Sequence, residues 1–305
     1  MLSKLTAVTL AFLCSNLPAR AQSADSLKRA IHIANSYRTA ANLTYLKVGN
    51  VESKLDVYQS RAATTPNPTL IWIHGGNWVG GSKEASFVSL LPFLDMGWNV
   101  VNVEYRLLNV APAPASLEDC RCALRWIYQH AKDYNIDTNR LVVSGNSAGG
   151  HLSLTVGMAP PGAGFDTQCP GPEDLKVAAV INWYGFPSLT DLLDGANARP
   201  AVNNWIGNGS NRRELAKRLS PMTYVRAGGP PVLTIHGDAD PTSPYEYAGK
   251  FHEALTKMGV PNQLVTIPGG KHGGFTDDET VKIYAAITSF LIKNKVLDRM
   301  SNPQP

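Results

Sequence analysis

The sequence predicts an α/β fold in which a mostly parallel central sheet is covered by helices on both faces. Short apolar segments such as Leu70–Ile73, Asn99–Val103 and Leu141–Val143 have the length of buried strands. Longer segments separate them, and the longest, Ala115–Tyr134, carries apolar residues at helical spacing. This alternation is typical of a parallel sheet with helices on either side.

The other elements continue the alternation. An amphipathic helix is expected over Asp25–Ala40, and Asn42–Gln59 is interpreted as an antiparallel hairpin at a sheet edge, turning at Gly49 and Asn50. The further predicted elements are the helices Lys83–Asp95, Ala148–Thr155, Tyr245–Lys257 and Thr280–Lys293 and the strands Val177–Trp183, Pro231–His236 and Gln263–Ile267.

Residues 186–228 interrupt this alternation. The segment lies between two predicted strands, is rich in Gly, Pro and Asn, and contains Trp205. Loops of this length are usually functional or disordered. We therefore expect a small insertion over the C-terminal edge of the sheet, near a substrate pocket.

The first 21 residues have the features of a secretory signal peptide. Lys4 supplies positive charge, Leu5–Leu13 is apolar, and Ala19–Ala21 forms a cleavage motif before Gln22. The apolar stretch is too short for a membrane span, which needs about 20 apolar residues. Residues 22–305 are then expected to form a single domain that is exported, periplasmic or secreted, without membrane insertion.

Charge excludes one class of partner. Removing Lys4 and Arg20 with the signal peptide leaves 26 basic and 24 acidic residues, a net charge of +2. No basic run or stripe is present, so nucleic acid is not an expected partner.

Three cysteines remain in the mature chain. Cys120 and Cys122 are two residues apart on a predicted helix and point to different faces, so they are not expected to pair with each other. Cys169 could form a disulfide with either one in an oxidising compartment, leaving one free thiol. The alternative is three small buried apolar side chains. No Cys/His spacing fits a metal site.

The chemistry is concentrated first in Gly145–Gly149, which reads G-N-S-A-G between a predicted strand and a predicted helix. Glycines two residues either side of Ser147 allow the tight turn that exposes a serine hydroxyl at the sheet edge. The pattern predicts that Ser147 is a nucleophile. A nucleophilic serine needs a general base, an acid that orients the base, and donors for an oxyanion.

Two aspartates compete for the role of the acid. Asp238 and Asp240 both follow the strand Pro231–His236. We favour Asp240, because Asp238 is expected to brace the loop through backbone hydrogen bonds. A calcium loop is excluded because its glycine and its terminal glutamate are missing.

The base is expected after the next strand. His272 lies there between flanking glycines, which completes the chain order serine, acid, histidine. The other histidines fit less well. For example, His151 lies one helical turn beyond Ser147 and points away from its hydroxyl, and His236 precedes the acid.

The oxyanion donors are expected from the segment H-G-G-N-W after the strand that ends at Ile73. Backbone N–H groups of Gly75, Gly76 and Asn77 are predicted to join that of Ala148 in the oxyanion hole. His74 is expected to be structural.

These four segments together resemble the α/β-hydrolase superfamily. They read HGGNW, GNSAGGH, HGDADPTSP and GGKHGGF, and the resemblance covers roughly residues 45–296. Within the superfamily the chain is similar to bacterial esterase/lipase-like proteins related to hormone-sensitive-lipase-type, feruloyl and carbohydrate acetyl esterases. The oxyanion segment departs from the common HGGG, and its asparagine is expected to narrow the acyl pocket.

The resemblance implies a serine carboxylesterase for short-chain or aromatic acyl esters that needs no metal or organic cofactor. Export suggests small-molecule or carbohydrate esters, such as acetyl or feruloyl groups on polysaccharide. Trp78, Tyr184 and Trp205 are candidate substrate-binding residues.

Two alternatives stay open. Kynurenine-formamidase-type amidases share the HGG-x-W and G-x-S-A-G patterns, although a signal peptide argues against a cytoplasmic role. A non-catalytic binding protein on a hydrolase fold is the second alternative, although such proteins typically lose a member of the triad.

Overall fold

The computed structural model describes residues 17–298, and over residues 17–25 it describes the backbone alone. Residues 1–16 of the predicted signal peptide therefore lie outside the described residues. Within the described residues, residues 17–37 and residues 38–298 belong to separate compact units. The single domain expected over residues 22–305 stays a prediction.

The elements are numbered here in chain order. Helices α1–α8 span Leu17–Ser36, Phe87–Asp95, Ala115–Gln129, Ala148–Met158, Pro200–Ile206, Arg212–Leu219, Tyr245–Lys257 and Asp277–Lys293. Strands β1–β8 span Tyr37–Val48, Val51–Ser60, Asn67–Ile73, Asn99–Val103, Ile136–Asn146, Ala179–Trp183, Val232–Gly237 and Asn262–Ile267. Within residues 17–298, no helix combines the length and apolar composition that crossing a bilayer requires.

The eight strands form one sheet in the order β1-β2-β4-β3-β5-β6-β7-β8. Strands β2 and β4 pair antiparallel, and β4, β3, β5, β6, β7 and β8 pair in parallel with their neighbours. The first two strands meet at the turn of Gly49 and Asn50, so the predicted edge hairpin is confirmed. The predicted α/β-hydrolase fold, with its mostly parallel sheet, is also confirmed.

Helices cover both faces of the sheet, because its central strands are buried along their whole length. Every residue of β4, β6 and β7 is buried, which requires cover on both faces. Helix α4 packs on β3, β5 and β6 and against α3, whereas α7 and α8 pack on β7 and β8. Because β3 to β8 run parallel, their carboxyl ends lie at one edge of the sheet.

Two predicted helices end early. The helix expected over Asp25–Ala40 ends at Ser36, and the residues from Tyr37 onward extend β1, where the sheet satisfies their backbone groups. The helix expected as far as Tyr134 ends at Gln129. There the imidazole of His130 turns back and contacts the Trp126 carbonyl at 2.8 Å.

The predicted insertion is ordered into short helices. Residues 186–228 contain α5, α6 and three short 3-10 segments. It contacts, among others, the loops that follow β4 and β7: the Trp205 carbonyl accepts from Ala113 N–H, and Arg199 donates to the Thr242 carbonyl. The segment thus lies over the C-terminal edge of the sheet, as predicted.

A disulfide joins α3 to the loop that follows α4. Cys122 and Cys169 are bonded, and Cys120 is free and buried. Two arginines support the same junction, since Arg121 pairs with Asp166 and Arg125 pairs with Glu173. The structure thereby selects one of the two pairings that the sequence left open.

Candidate active site

Ser147 occupies a strained turn between β5 and α4. Its φ of 55° and ψ of −119° are unusual for a non-glycine residue. The turn is held by a hydrogen bond from Ser147 N–H to the Trp183 carbonyl at 2.9 Å. Added Cβ atoms at Gly145 and Gly149 would lie 2.3 and 2.1 Å from the Ile73 carbonyl oxygen, so only glycine fits there. These glycines let α4 approach the end of β3.

The structure brings the three predicted triad residues together. His272 Nε2 lies 2.7 Å from Ser147 Oγ, and His272 Nδ1 lies 2.7 Å from Asp240 Oδ2. Because an ionised carboxylate only accepts, Nδ1 carries the hydrogen in that contact. Nε2 is then the acceptor for the serine hydroxyl. This arrangement can take a proton from Ser147 and hold the resulting imidazolium.

The carboxylate of Asp240 is buried but well supplied with donors. Its Oδ1 accepts from the N–H groups of Thr242 and Ser243 at 2.7 and 3.0 Å. Burial opposes ionisation, but hydrogen bonds from His236, His272 and the Ser243 backbone outweigh it and hold the Asp240 pKa well below its usual range. Asp240 is therefore ionised across the neutral pH range.

His236 also belongs to this group, although its place before the acid in the chain does not predict it. Its Nε2 lies 2.8 Å from the Ser243 carbonyl and 3.3 Å from Asp240 Oδ2. Its position before the acid in the chain does not indicate this contact, because the loop folds Asp240 back over the end of β7. The signal available in the sequence was a histidine at the end of the strand, four residues before the acid.

The competing aspartate has the structural place expected of it. Asp238 Oδ1 accepts a hydrogen bond from the Gly269 N–H at 2.6 Å. It therefore joins the loop that carries Asp240 to the loop that carries His272, and it is not in contact with the imidazole.

The predicted oxyanion segment lies beside the serine turn, with one correction. The Gly75 N–H donates to Asn146 Oδ1 at 3.0 Å, so it is not free to bind an oxyanion. Within the described part of the chain, the N–H groups of Gly76, Asn77 and Ala148 make no hydrogen bond to protein. Positive φ angles at Gly76 and Asn77 (122° and 54°) set the direction of these groups.

His74 braces this segment from below. Its Nδ1 lies 2.7 Å from the Gly75 carbonyl, and its Nε2 lies 2.9 Å from Glu104 Oε1. The ring also stacks on Tyr105 with a centroid distance of 4.3 Å. Both nitrogens face acceptors, which fits a structural place and leaves no nitrogen for a reacting group.

Two of the three predicted substrate-binding residues are closed off. Trp78 and Trp205 stack at a centroid distance of 4.5 Å, and both are fully buried. The edge of His151 packs against both indoles. Neither tryptophan therefore offers surface to a substrate in this structure. The reason is tertiary: the insertion folds Trp205 back onto the oxyanion segment.

Tyr184 lies beside the base. Its ring meets His272 edge-on at a centroid distance of 4.7 Å and Phe275 at 5.9 Å. The side chain is half-buried, and its φ of 41° is strained for an aromatic residue. Burial raises the pKa of Tyr184, and the neighbouring Asn146 amide partly offsets that effect.

Among the described residues, no cluster of three or more His, Cys, Asp or Glu side chains could hold a metal ion.

Comparison with known proteins agrees with this geometry. The sequence matches the BD-FAE family over residues 55–255 and a TAP-like protein family over residues 211–300. Esterase LipC of Mycobacterium tuberculosis is 30% identical over 229 residues, which are 72% of this chain and 56% of LipC. The probable carboxylic ester hydrolase LipM of that organism is 28% identical over 239 residues, 75% of this chain and 54% of LipM. The chain spans little more than half the length of these relatives.

Solved structures are similar over nearly their whole length. Native Est2, a thermophilic esterase from Thermogutta terrifontis, has a TM-score of 0.73 at 26% identity and covers 88% of this chain and 95% of its own. Est2 has also been solved with propionate and with butyrate bound. A truncated carbohydrate esterase from gut microbiota has a TM-score of 0.72 at 26% identity, covering 86% and 98%. On the family match over residues 55–255, the chain belongs to the BD-FAE family of esterase/lipase-like α/β-hydrolases.

Proposed function

We propose that the protein is a serine carboxylesterase that acts through an acyl-enzyme. The observation that carries the proposal is the continuous hydrogen-bonded line from Asp240 through His272 to Ser147, with 2.7 Å at each contact. This geometry suits attack by a serine hydroxyl on an ester carbonyl. The esterase relatives support the same reaction class.

Each residue has a distinct part in the proposed reaction. Ser147 Oγ attacks the carbonyl carbon as His272 Nε2 accepts its proton, and Asp240 stabilises the imidazolium. N–H groups of Gly76, Asn77 and Ala148 stabilise the oxyanion of the tetrahedral intermediate. The imidazolium then protonates the leaving alcohol. Water attacks the acyl-enzyme by the same route and releases the acid.

The proposed acyl group is short or aromatic. The buried pair of Trp78 and Trp205 offers no open wall for a long chain, and the asparagine of HGGN stands at the position of a smaller glycine in HGGG. Est2, which has been solved with propionate and butyrate, supports the short-chain assignment.

On the alcohol side, we propose acetyl or feruloyl esters of carbohydrate as substrates. The leaving alcohol must lie near His272, which protonates it, and Tyr184 and Phe275 form a half-buried aromatic surface there. Aromatic faces suit the apolar C–H faces of a sugar. Export to the periplasm or the medium, as the signal peptide predicts, would bring the enzyme to such substrates.

The test compares wild type with Ser147→Ala on nitrophenyl acetate, butyrate and octanoate. Wild type is expected to prefer acetate and butyrate, and the variant to lose activity by at least about 10³-fold. Release of acetate or ferulate from acylated xylo-oligosaccharides then tests the alcohol. Equal rates for the two proteins would exclude Ser147 as the nucleophile. A folded wild type that is inert on esters but active on formanilides would favour the amidase.

A further inference from the structure

The side chain of Asn146, the residue before the serine, contacts the oxyanion segment directly. Its Oδ1 accepts the hydrogen bond from Gly75 N–H at 3.0 Å. The two residues are also tightly packed, because a Cβ at Gly75 would lie 2.6 Å from the Asn146 carbonyl oxygen and 3.1 Å from its Nδ2. The oxyanion segment therefore rests on the serine turn through this asparagine.

The carbonyl of Gly75 is held on its other side. His74 Nδ1 donates to it at 2.7 Å, and His74 is anchored in turn by Glu104. In a trans peptide the N–H of a residue points opposite to the preceding carbonyl. Fixing the Gly75 carbonyl therefore fixes the direction of the Gly76 N–H. Asn146 and His74 hold the two ends of the same residue.

We infer that Asn146 is a positioning residue that holds the oxyanion segment in register with Ser147, an inference that rests on the proposed esterase function. Asn146 touches no reacting atom in this arrangement. Its contribution is to keep the Gly76 and Asn77 N–H groups aligned before the oxyanion forms. The donors then need no reorganisation when the negative charge develops.

The test measures nitrophenyl acetate hydrolysis and inhibition by an alkyl trifluoromethyl ketone, to which a serine hydroxyl adds to form a stable oxyanion. Asn146→Leu is expected to lower kcat about 100-fold, the scale of losing one oxyanion donor, with KM changed less than about twofold. The ketone's inhibition constant should rise by the same factor, because it depends on the oxyanion donors.

Asn146→Asp provides the conservative rescue. Its carboxylate still accepts from the Gly75 N–H, so kcat should recover about tenfold relative to Asn146→Leu. It should stay below wild type, because a negative charge near the oxyanion is unfavourable. Asn262→Leu is a matched control. Asn262 is the first residue of β8, away from the carboxyl ends of the strands, and the variant loses hydrogen bonds to His252 and Thr256 there. That variant should leave ketone inhibition unchanged.

The outcomes separate this inference from the proposed function. A wild type that neither hydrolyses the ester nor binds the ketone overturns both. An active wild type with unchanged kcat and ketone inhibition in Asn146→Leu overturns the positioning role alone. If Asn146→Leu does not fold, Asn146→Asp decides: ketone inhibition weakened 100-fold despite the retained acceptor contradicts the inference, and inhibition within about tenfold of wild type supports it.

Discussion

At the scale of single residues, backbone strain is concentrated around the candidate site. Of the seven non-glycine residues with positive φ in the described chain, four lie there: Asn77, Trp78, Ser147 and Tyr184. Such conformations cost about 1–3 kcal/mol each and persist only where surrounding contacts enforce them. The strain therefore marks the segments that must aim donors and a nucleophile at one point.

His151 supports the first residue-scale prediction, which concerns stability against pH. Burial lowers its pKa to about 4, although its hydrogen bond to the Leu219 carbonyl opposes the shift. The unfolded chain takes up this proton near pH 6.5, before the folded chain does. The contribution of neutral His151 to the unfolding free energy is therefore fully present above about pH 6.5. It is lost as the pH falls towards 4, by about 3 kcal/mol in total.

His151→Gln tests this dependence by urea unfolding at several pH values between 4 and 7.5. Glutamine can still donate to the Leu219 carbonyl but binds no proton. The unfolding free energy of the variant should fall about 3 kcal/mol less than that of wild type over the window. The difference at pH 7.5 reports the packing change and serves as the control. Parallel curves for the two proteins would contradict the prediction.

At the scale of elements, the junction of β5 and α4 depends on how closely α4 approaches β3. A Cβ at Gly149 would lie 2.1 Å from the Ile73 carbonyl and 2.5 Å from the His74 carbonyl, and neither backbone atom can move freely. Gly149→Ala is expected to lower the unfolding free energy by about 3 kcal/mol. It should also abolish esterase activity, because α4 and Ser147 must shift together.

Gly249→Ala is the matched control in helix α7. Apart from its chain neighbours and the backbone of its own helix, no atom lies within 4 Å of its added Cβ, so alanine should stabilise the helix by about 0.5–1 kcal/mol. Chemical denaturation and nitrophenyl acetate rates on both variants provide the measurement. Similar stabilities for the two variants would show that the close approach of α4 to β3 does not constrain this glycine.

At the scale of the whole molecule, the disulfide closes a long segment of chain. Cys122 and Cys169 are separated by 47 residues, and the loop they close includes the Ser147 turn. Closure of a loop of this length is worth about 4 kcal/mol in the chain-entropy account, with measured effects of about 2–4 kcal/mol. Ser147 precedes the start of α4, whereas Cys169 lies in the loop beyond its other end. Loss of the disulfide should therefore affect stability rather than catalysis.

Cys169→Ala and reduction by dithiothreitol should each lower the unfolding free energy by about 2–4 kcal/mol, with kcat at 25 °C within about twofold of wild type. Cys120→Ala, which removes the free thiol, is the control and should keep the full response to reductant. Identical unfolding curves of wild type with and without reductant would refute the stabilising effect.

Much of this architecture could be predicted because local patterns agreed with the tertiary fold. Strand β4 and helix α7 have the predicted bounds, Asn99–Val103 and Tyr245–Lys257, since apolar period and flanking residues coincide with burial there. The three predicted triad residues also lie together as expected, because each follows a strand of the sheet and parallel strands present their carboxyl ends at one edge.

Other features depend on contacts between segments distant in the chain, which no local pattern encodes. The choice of Cys122 over Cys120, the capture of the Gly75 N–H by Asn146, and the burial of Trp78 against Trp205 are of this kind. Each depends on which side chain of a neighbouring element lies within a few ångströms. Sequence periodicity specifies which face of an element is buried, whereas the partner that meets that face is selected only when the whole sheet and its insertion have packed.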